Sequence, residues 1–278
     1  MLTMAGSSMR LTRVLLAVLL VGAACLYLSA CAGGPGGAGS GATSADLVTD
    51  SDESDGRRRA RIRLELAVGY FEQGQTTIAL DELKQALAAD PNFAEAYNFR
   101  GVLYMRLNEL KLAEESFRRS LALGPGNSDV QHNYGWMLCQ QGRHLESMQL
   151  FAQALSNPSY ADRPKTLMTQ GLCQLRAGQR VEAEASLTRA YELDAGNPIT
   201  GYNLATLLFQ RGEFVRAQFY VRRINNSEMA NAESLWLGIK VERRLDNRDA
   251  MEQLASQLRK RFAQSRELGW YERGAFDE

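Results

Sequence analysis

Two side chains invite a chemical reading first: the imidazole of His132 and the thiol of Cys139, which stand at either end of "HNYGWMLC" (residues 132–139). A cysteine nucleophile works through a nearby base that a third group orients. On a helix, seven residues are two turns, so these two groups would share a face about 10 Å apart along the axis, too far for direct proton transfer. The second of the two histidines, His144, falls, like His132, in no H-E-x-x-H or C-x₂-C pattern. The spacing therefore predicts no catalytic residue, no metal site and no cofactor, and an enzyme built on Cys139 is the weaker reading. Cys139 and Cys173, 34 residues apart, offer different chemistry in an exported chain, where disulfides persist. Neighbouring helices lie about 8 to 10 Å apart, whereas a bridge needs Cα atoms within about 7 Å. A bridge and two buried thiols both remain open.

The elements that position these residues follow from a repeat. Small residues recur at Ala67, Gly101, Gly135, Gly171, Ala205 and Gly238, and each is followed twelve positions later by another: Ala79, Ala113, Ser147, Ala183, Ala217 and Ala250. Successive units are spaced 34, 34, 36, 34 and 33 residues apart, the period of the tetratricopeptide repeat, TPR. Paired small residues are what two antiparallel helices need where their backbones approach. In the second unit Tyr97, Gly101, Tyr104, Ala113, Phe117 and Pro125 fit the rest of the TPR pattern. A turn residue suited to the left-handed conformation recurs at Gly74, Asn108, Gly142, Gly178 and Gly212, and the sixth unit has Leu245 to Asn247 in that place. The fold class predicted is all-α: a right-handed superhelical TPR solenoid of six helix-turn-helix repeats over 59–263, followed by a C-terminal cap over 264–278 containing Trp270 and Tyr271. The two extra residues between the third and fourth units fall in "SNPSYADRP" (156–164), where two prolines predict an extended loop.

The N-terminal region differs in kind. Arg10 and Arg13 precede an apolar run from Val14 to Leu26, too short to span a bilayer, which reads as an export signal over 1–30. "LSAC", Leu28 to Cys31, resembles the lipobox of bacterial lipoproteins, which implies lipidation of Cys31 at a new N-terminus. Ala32 stands where many Gram-negative lipoproteins retained at the inner membrane carry Asp, so the expected localisation is the periplasmic face of the outer membrane, lipid-anchored. Residues 31–58, rich in Gly, Ser and acids, bury too little to fold and form a tether whose r.m.s. span is about 30 Å for ~27 residues. The chain carries 32 basic and 32 acidic side chains, so no bulk field recruits nucleic acid.

On a TPR superhelix, the first helix of each repeat faces the concave groove. The register places Phe71, Asn98, Met105, Arg106, His132, Trp136, Gln140, Met168, Tyr202 and Phe209 there. Aromatic and Met side chains with a few polar groups suit a peptide-binding surface, although the same residues would also serve to pack neighbouring repeats.

Four stretches are more specific than generic TPR sequence: "HNYGWMLCQQGR" (132–143), "FAQALSNPSY" (151–160), "TQGLCQLRAG" (169–178) and "YNLATLLFQRGEFVRAQFYVRRI" (202–224). Through them, residues 58–278 resemble the type IV pilus biogenesis and stability lipoproteins, the PilW/PilF group of secretin pilotins. The resemblance implies a non-enzymatic scaffold whose partner is the type IV pilus secretin. It implies binding of secretin subunits and promotion of their localisation and oligomerisation, with no small-molecule substrate. The alternative on the same fold is another periplasmic TPR adaptor, serving outer-membrane protein assembly or cell-wall synthesis, because fold alone does not fix the partner.

Overall fold

The computed structural model describes residues 53–277. The export signal, Cys31 and most of the tether lie outside the described residues. Among the described residues there are thirteen helices and no strand. Twelve of them form six antiparallel pairs: α1 (Asp55–Glu72) with α2 (Thr76–Ala89), α3 (Ala94–Arg106) with α4 (Leu110–Leu123), α5 (Ser128–Gln140) with α6 (His144–Ser156), α7 (Arg163–Arg176) with α8 (Arg180–Leu193), α9 (Pro198–Gln210) with α10 (Phe214–Asn225), and α11 (Ala232–Arg244) with α12 (Arg248–Arg261). A short α13 (Arg266–Glu272) follows. The first helix begins at Asp55, capped by the Ser54 side chain, which accepts from the Arg57 amide. The expected tether therefore gives way to helix four residues before the boundary read from composition, because a capping serine followed by an acid in the first turn starts a helix there.

Each pair closes on the small residues. An added Cβ on Gly101 would stand 2.6 Å from the Phe117 ring, one on Gly135 would stand 2.9 Å from Phe151, and one on Gly171 would stand 2.6 Å from Leu187. A large side chain from the second helix of the pair thus occupies the volume that the glycine vacates. Where the facing residue is Leu83 or Val221, alanine takes the position instead, as Ala67 and Ala205, all four fully buried. The hydroxyl of Ser147, buried in the third seam, donates to the Gly135 carbonyl at 2.7 Å.

Five of the interhelix turns use Gly or Asn in the left-handed region, with φ between 59° at Asn108 and 80° at Gly212. The sixth turn does so as well, through Asp246 at φ 52°. Sequence reading finds no such residue in that unit, because aspartate adopts this conformation less often than Gly or Asn.

Successive repeats stack so that the first helices touch in series, α1 on α3, α3 on α5, α5 on α7, α7 on α9 and α9 on α11, with α13 on α11 and α12. The face they form is the one a TPR stack presents inward. Ion pairs tie the other edge. Glu114 of α4, held below the usual carboxylate range by Arg143, Tyr134 and Arg118 against the opposing effect of its burial, bonds Arg143 before α6 at 2.8 Å. Glu184 of α8 meets Arg211 and Arg216 in the same way. Both acids follow the small seam residue directly, so the helical register aims them at the next repeat. No helix among the described residues is long and apolar enough to cross a membrane.

Candidate functional site

The first-helix face changes character along its length. In the first three repeats the residues assigned to the groove mostly serve packing. Phe71 meets Phe99 edge-on with centroids 5.6 Å apart, Met105 packs on the cluster built around Phe117 and Met137, and Asn98 accepts from Asn133 of the next repeat at 3.2 Å. Arg106 and Gln140 are exposed. Trp136 is half-buried, and the guanidinium of the exposed Arg176 sits 4.7 Å over its ring, a cation–π contact at the surface. Met168 packs against the core around Leu187 and Leu204.

His132 does not line the groove. It is 5% exposed, with Nδ1 2.8 Å from the Thr166 hydroxyl, which in turn donates to the Tyr160 phenol at 3.1 Å. Burial, with the positive charge of Lys165 adding to it, pushes its pKa down to about 4, and burial pushes Tyr160 up to about 12. The reason lies in the two-residue insertion. It sets Tyr160 and the start of α7 over a position that is only half-buried at Asn98, Met168 and Tyr202, and the histidine becomes a neutral member of a buried polar chain. The same junction carries the bridge: Cys139 and Cys173 form a disulfide with Cα atoms 5.9 Å apart, which ordinary neighbouring helices reach because the spacing of about 8 to 10 Å is between axes and facing Cα atoms stand about 2.3 Å off each axis. Cys139 therefore has no free thiol next to His132. The imidazole near the sulfurs is His144, whose Nδ1 is 3.5 Å from Cys173 Sγ.

At the C-terminal end the face opens into a cleft of about 440 Å³ between α9, α11 and α13. Tyr202 and Phe209, both assigned to the groove from sequence, line it with Thr206, Trp236, Lys240 and Trp270. The Lys240 ammonium lies 5.4 Å from the Trp236 ring and 5.8 Å from Phe209. Burial raises the Tyr202 phenol above its ordinary value, which keeps it a neutral donor. Glu233 and Glu267 at the rim pair with Arg266 at 3.7 and 3.0 Å. Trp236 is only 3% exposed, with Phe276 stacked on it at 5.4 Å and Trp270 at 6.2 Å. Such an arrangement binds apolar or aromatic side chains and orients the backbone that carries them.

Sequence reading misses Trp236, Lys240 and Trp270. The signal was present: Met168, Tyr202, Trp236 and Trp270 follow one another at intervals of 34, as do Thr206 and Lys240. The spacing of 33 between the seams of the fifth and sixth units moves Trp236 one place along the repeat register, away from the position that marks groove residues elsewhere. By the same ladder α13 acts as a truncated seventh first helix.

The stacked pairs, their small-residue seams and the concave face define a tetratricopeptide-repeat protein, and TPR family models match residues 64–128 and 174–235. The chain belongs, within that class, to the PilF/PilW family of type IV pilus biogenesis proteins. It is 30% identical over 226 residues to the type IV pilus assembly protein PilF of Pseudomonas aeruginosa, covering 79% of this chain and 90% of that protein. The solved structure of Pseudomonas aeruginosa PilF superposes with a TM-score of 0.72 at 28% identity, covering 80% of this chain and all of that one. The structure of PilW, a widely conserved type IV pilus biogenesis factor, gives 0.67 at 30% identity over 76% of this chain and 96% of the other.

Proposed function

We propose that this protein is an outer-membrane lipoprotein that binds secretin subunits and promotes their delivery and assembly for type IV pilus biogenesis. Cys31 would carry the lipid, residues 32–52 would let the domain reach subunits below the membrane, and the repeats would act as a non-enzymatic clamp. The observation that carries this reading is the cleft of Tyr202, Phe209, Trp236, Lys240 and Trp270. It is a preformed, partly apolar surface in a member of a pilus-biogenesis family. A secretin segment with an exposed apolar side chain, flanked by polar groups able to meet Lys240 and Tyr202, is the occupant this chemistry fits.

Deleting the gene and following the secretin multimer in membranes tests the proposal. Loss of multimer, restored by the intact chain and reduced when Cys31→Ser is supplied instead, is the result expected. Normal multimers and normal pilus-dependent motility after deletion would sink it and return the alternative of a different periplasmic adaptor.

A further inference from the structure

We propose that Cys139, Cys173 and His144 form a Cys₂His metal site that replaces the disulfide when the bridge is reduced, with Zn²⁺ as its ion. Both sulfurs and a ring nitrogen of His144 lie within 4.8 Å of one another, and among the described residues this is the group of Cys, His and acidic side chains found close enough to share an ion. No local motif announces it, since the ligands come from three helices: Cys139 from the end of α5, His144 from the first residue of α6, and Cys173 from α7. The cysteines are 2% and 0% exposed, while His144 is half-buried. The imidazole therefore sits on the route by which an ion would reach the sulfurs.

The chemistry balances without any group from elsewhere in the chain. A dithiol reductant attacks one sulfur, forms a mixed disulfide and closes on itself. The bridge gains two electrons and two protons and the reductant leaves as a cyclic disulfide. Zn²⁺ then displaces the two thiol protons and binds two thiolates and the neutral imidazole, an uncharged set that suits a buried place better than free thiolates would. Zn–S bonds of about 2.3 Å place tetrahedral sulfurs roughly 3.8 Å apart, a separation that side-chain rotation can supply across Cα atoms 5.9 Å apart. The fourth position is left for water. Ser147, whose Oγ is 3.6 Å from Cys173 Sγ and bonded to the Gly135 carbonyl, borders the site as a polar neighbour. The contact between the third and fourth repeats is thereby held by a covalent bond under oxidising conditions and by a coordinate one under reducing conditions.

The test uses the purified full chain, reduced by a phosphine without oxygen and titrated with Zn²⁺ against a chromophoric chelator, with helicity followed by circular dichroism. One equivalent should bind to the reduced chain and none to the oxidised chain. Cys139→Ser and Cys173→Ser should abolish binding, and His144→Ala should weaken it by roughly tenfold or more. A reduced chain that unfolds and refolds on adding Zn²⁺ supports the proposal equally. It is overturned if the folded, reduced chain leaves the ion with the chelator, if His144→Ala binds as tightly as the unchanged chain, or if a reduced chain that has lost helicity does not regain it with Zn²⁺.

Discussion

Between α5 and α7 the chain joins two repeats by a disulfide and by the hydrogen-bonded series His132, Thr166 and Tyr160. Between α9, α11 and α13 the same kind of contact is made by rings, Tyr202, Phe209, Trp236 and Trp270, with a cleft of about 440 Å³ left among them. The first junction follows a two-residue insertion, and the extended loop expected over 156–164 is instead a run of turns at 157–162, with Ser156 closing α6 and Pro164 in the first turn of α7, where its missing N–H costs the helix nothing. The second follows a one-residue contraction and ends the stack. One helical scaffold thus fixes its middle covalently and leaves its end open, which separates the part that holds shape from the part available for recognition.

That contrast can be broken from either side, and the largest effect is expected at the bridge. Cys173→Ser opens a 34-residue loop and should cost about 3 to 4 kcal/mol of stability, read as a lower denaturant midpoint without reductant. An unchanged midpoint would mean that the junction is held by packing alone. Next comes the histidine. The folded pKa of His132, about 4, lies below the value near 6.5 of an unfolded chain. Below pH 6.5 the unfolded chain takes up a proton that the folded chain refuses. Stability should therefore fall as pH drops from 6.5 to 4, by up to about 3 kcal/mol, and level off below. Replacing His132→Gln should flatten that stretch of the pH–stability curve, while Tyr202 in the open cleft, its phenol raised by burial, should contribute no such slope there.

A smaller effect tests the seams common to both regions. Gly101→Ala puts a methyl 2.6 Å from the Phe117 ring, in a packed seam, and should cost about 1 to 3 kcal/mol. Gly69→Ala, on α1 with nothing within 4 Å of the new carbon, should instead stabilise the domain by about 0.5 to 1 kcal/mol through helix propensity. Opposite signs from the same substitution, read in paired thermal melts, would show that close approach rather than glycine content governs the seams. Equal signs would refute it.

The repeat could be read because its cause is local and periodic: Gly101, Gly135 and Gly171 recur wherever Phe117, Phe151 and Leu187 need room. The groove residues were legible only where the period holds. Tyr202 and Phe209 sit in the cleft, but His132 was misplaced because Tyr160 of the lengthened connection covers a position that is half-buried in the neighbouring repeats. Trp236 escaped notice for the mirror-image reason, a shortened unit. Asp246 at its left-handed turn was missed because aspartate adopts that conformation less often than Gly or Asn, and the helical start at Asp55 because the charged residues around it read as part of the tether. Bridging of Cys139 and Cys173 depended on a helix separation that no spacing rule supplies to within an ångström.

The central claim is that the open C-terminal cleft, not the convex surface, engages the secretin. Measuring the affinity of the purified chain for secretin fragments, with Phe209→Ala and Lys240→Glu beside the convex control Val215→Asp, tests it most directly. Val215 is 70% exposed, so the control changes charge without disturbing packing. Saturable binding is expected, weakened by about tenfold, or ~1.4 kcal/mol, in each cleft variant and unchanged in the control. No binding by the unchanged chain, or binding lost with Val215→Asp and kept by both cleft variants, would contradict it.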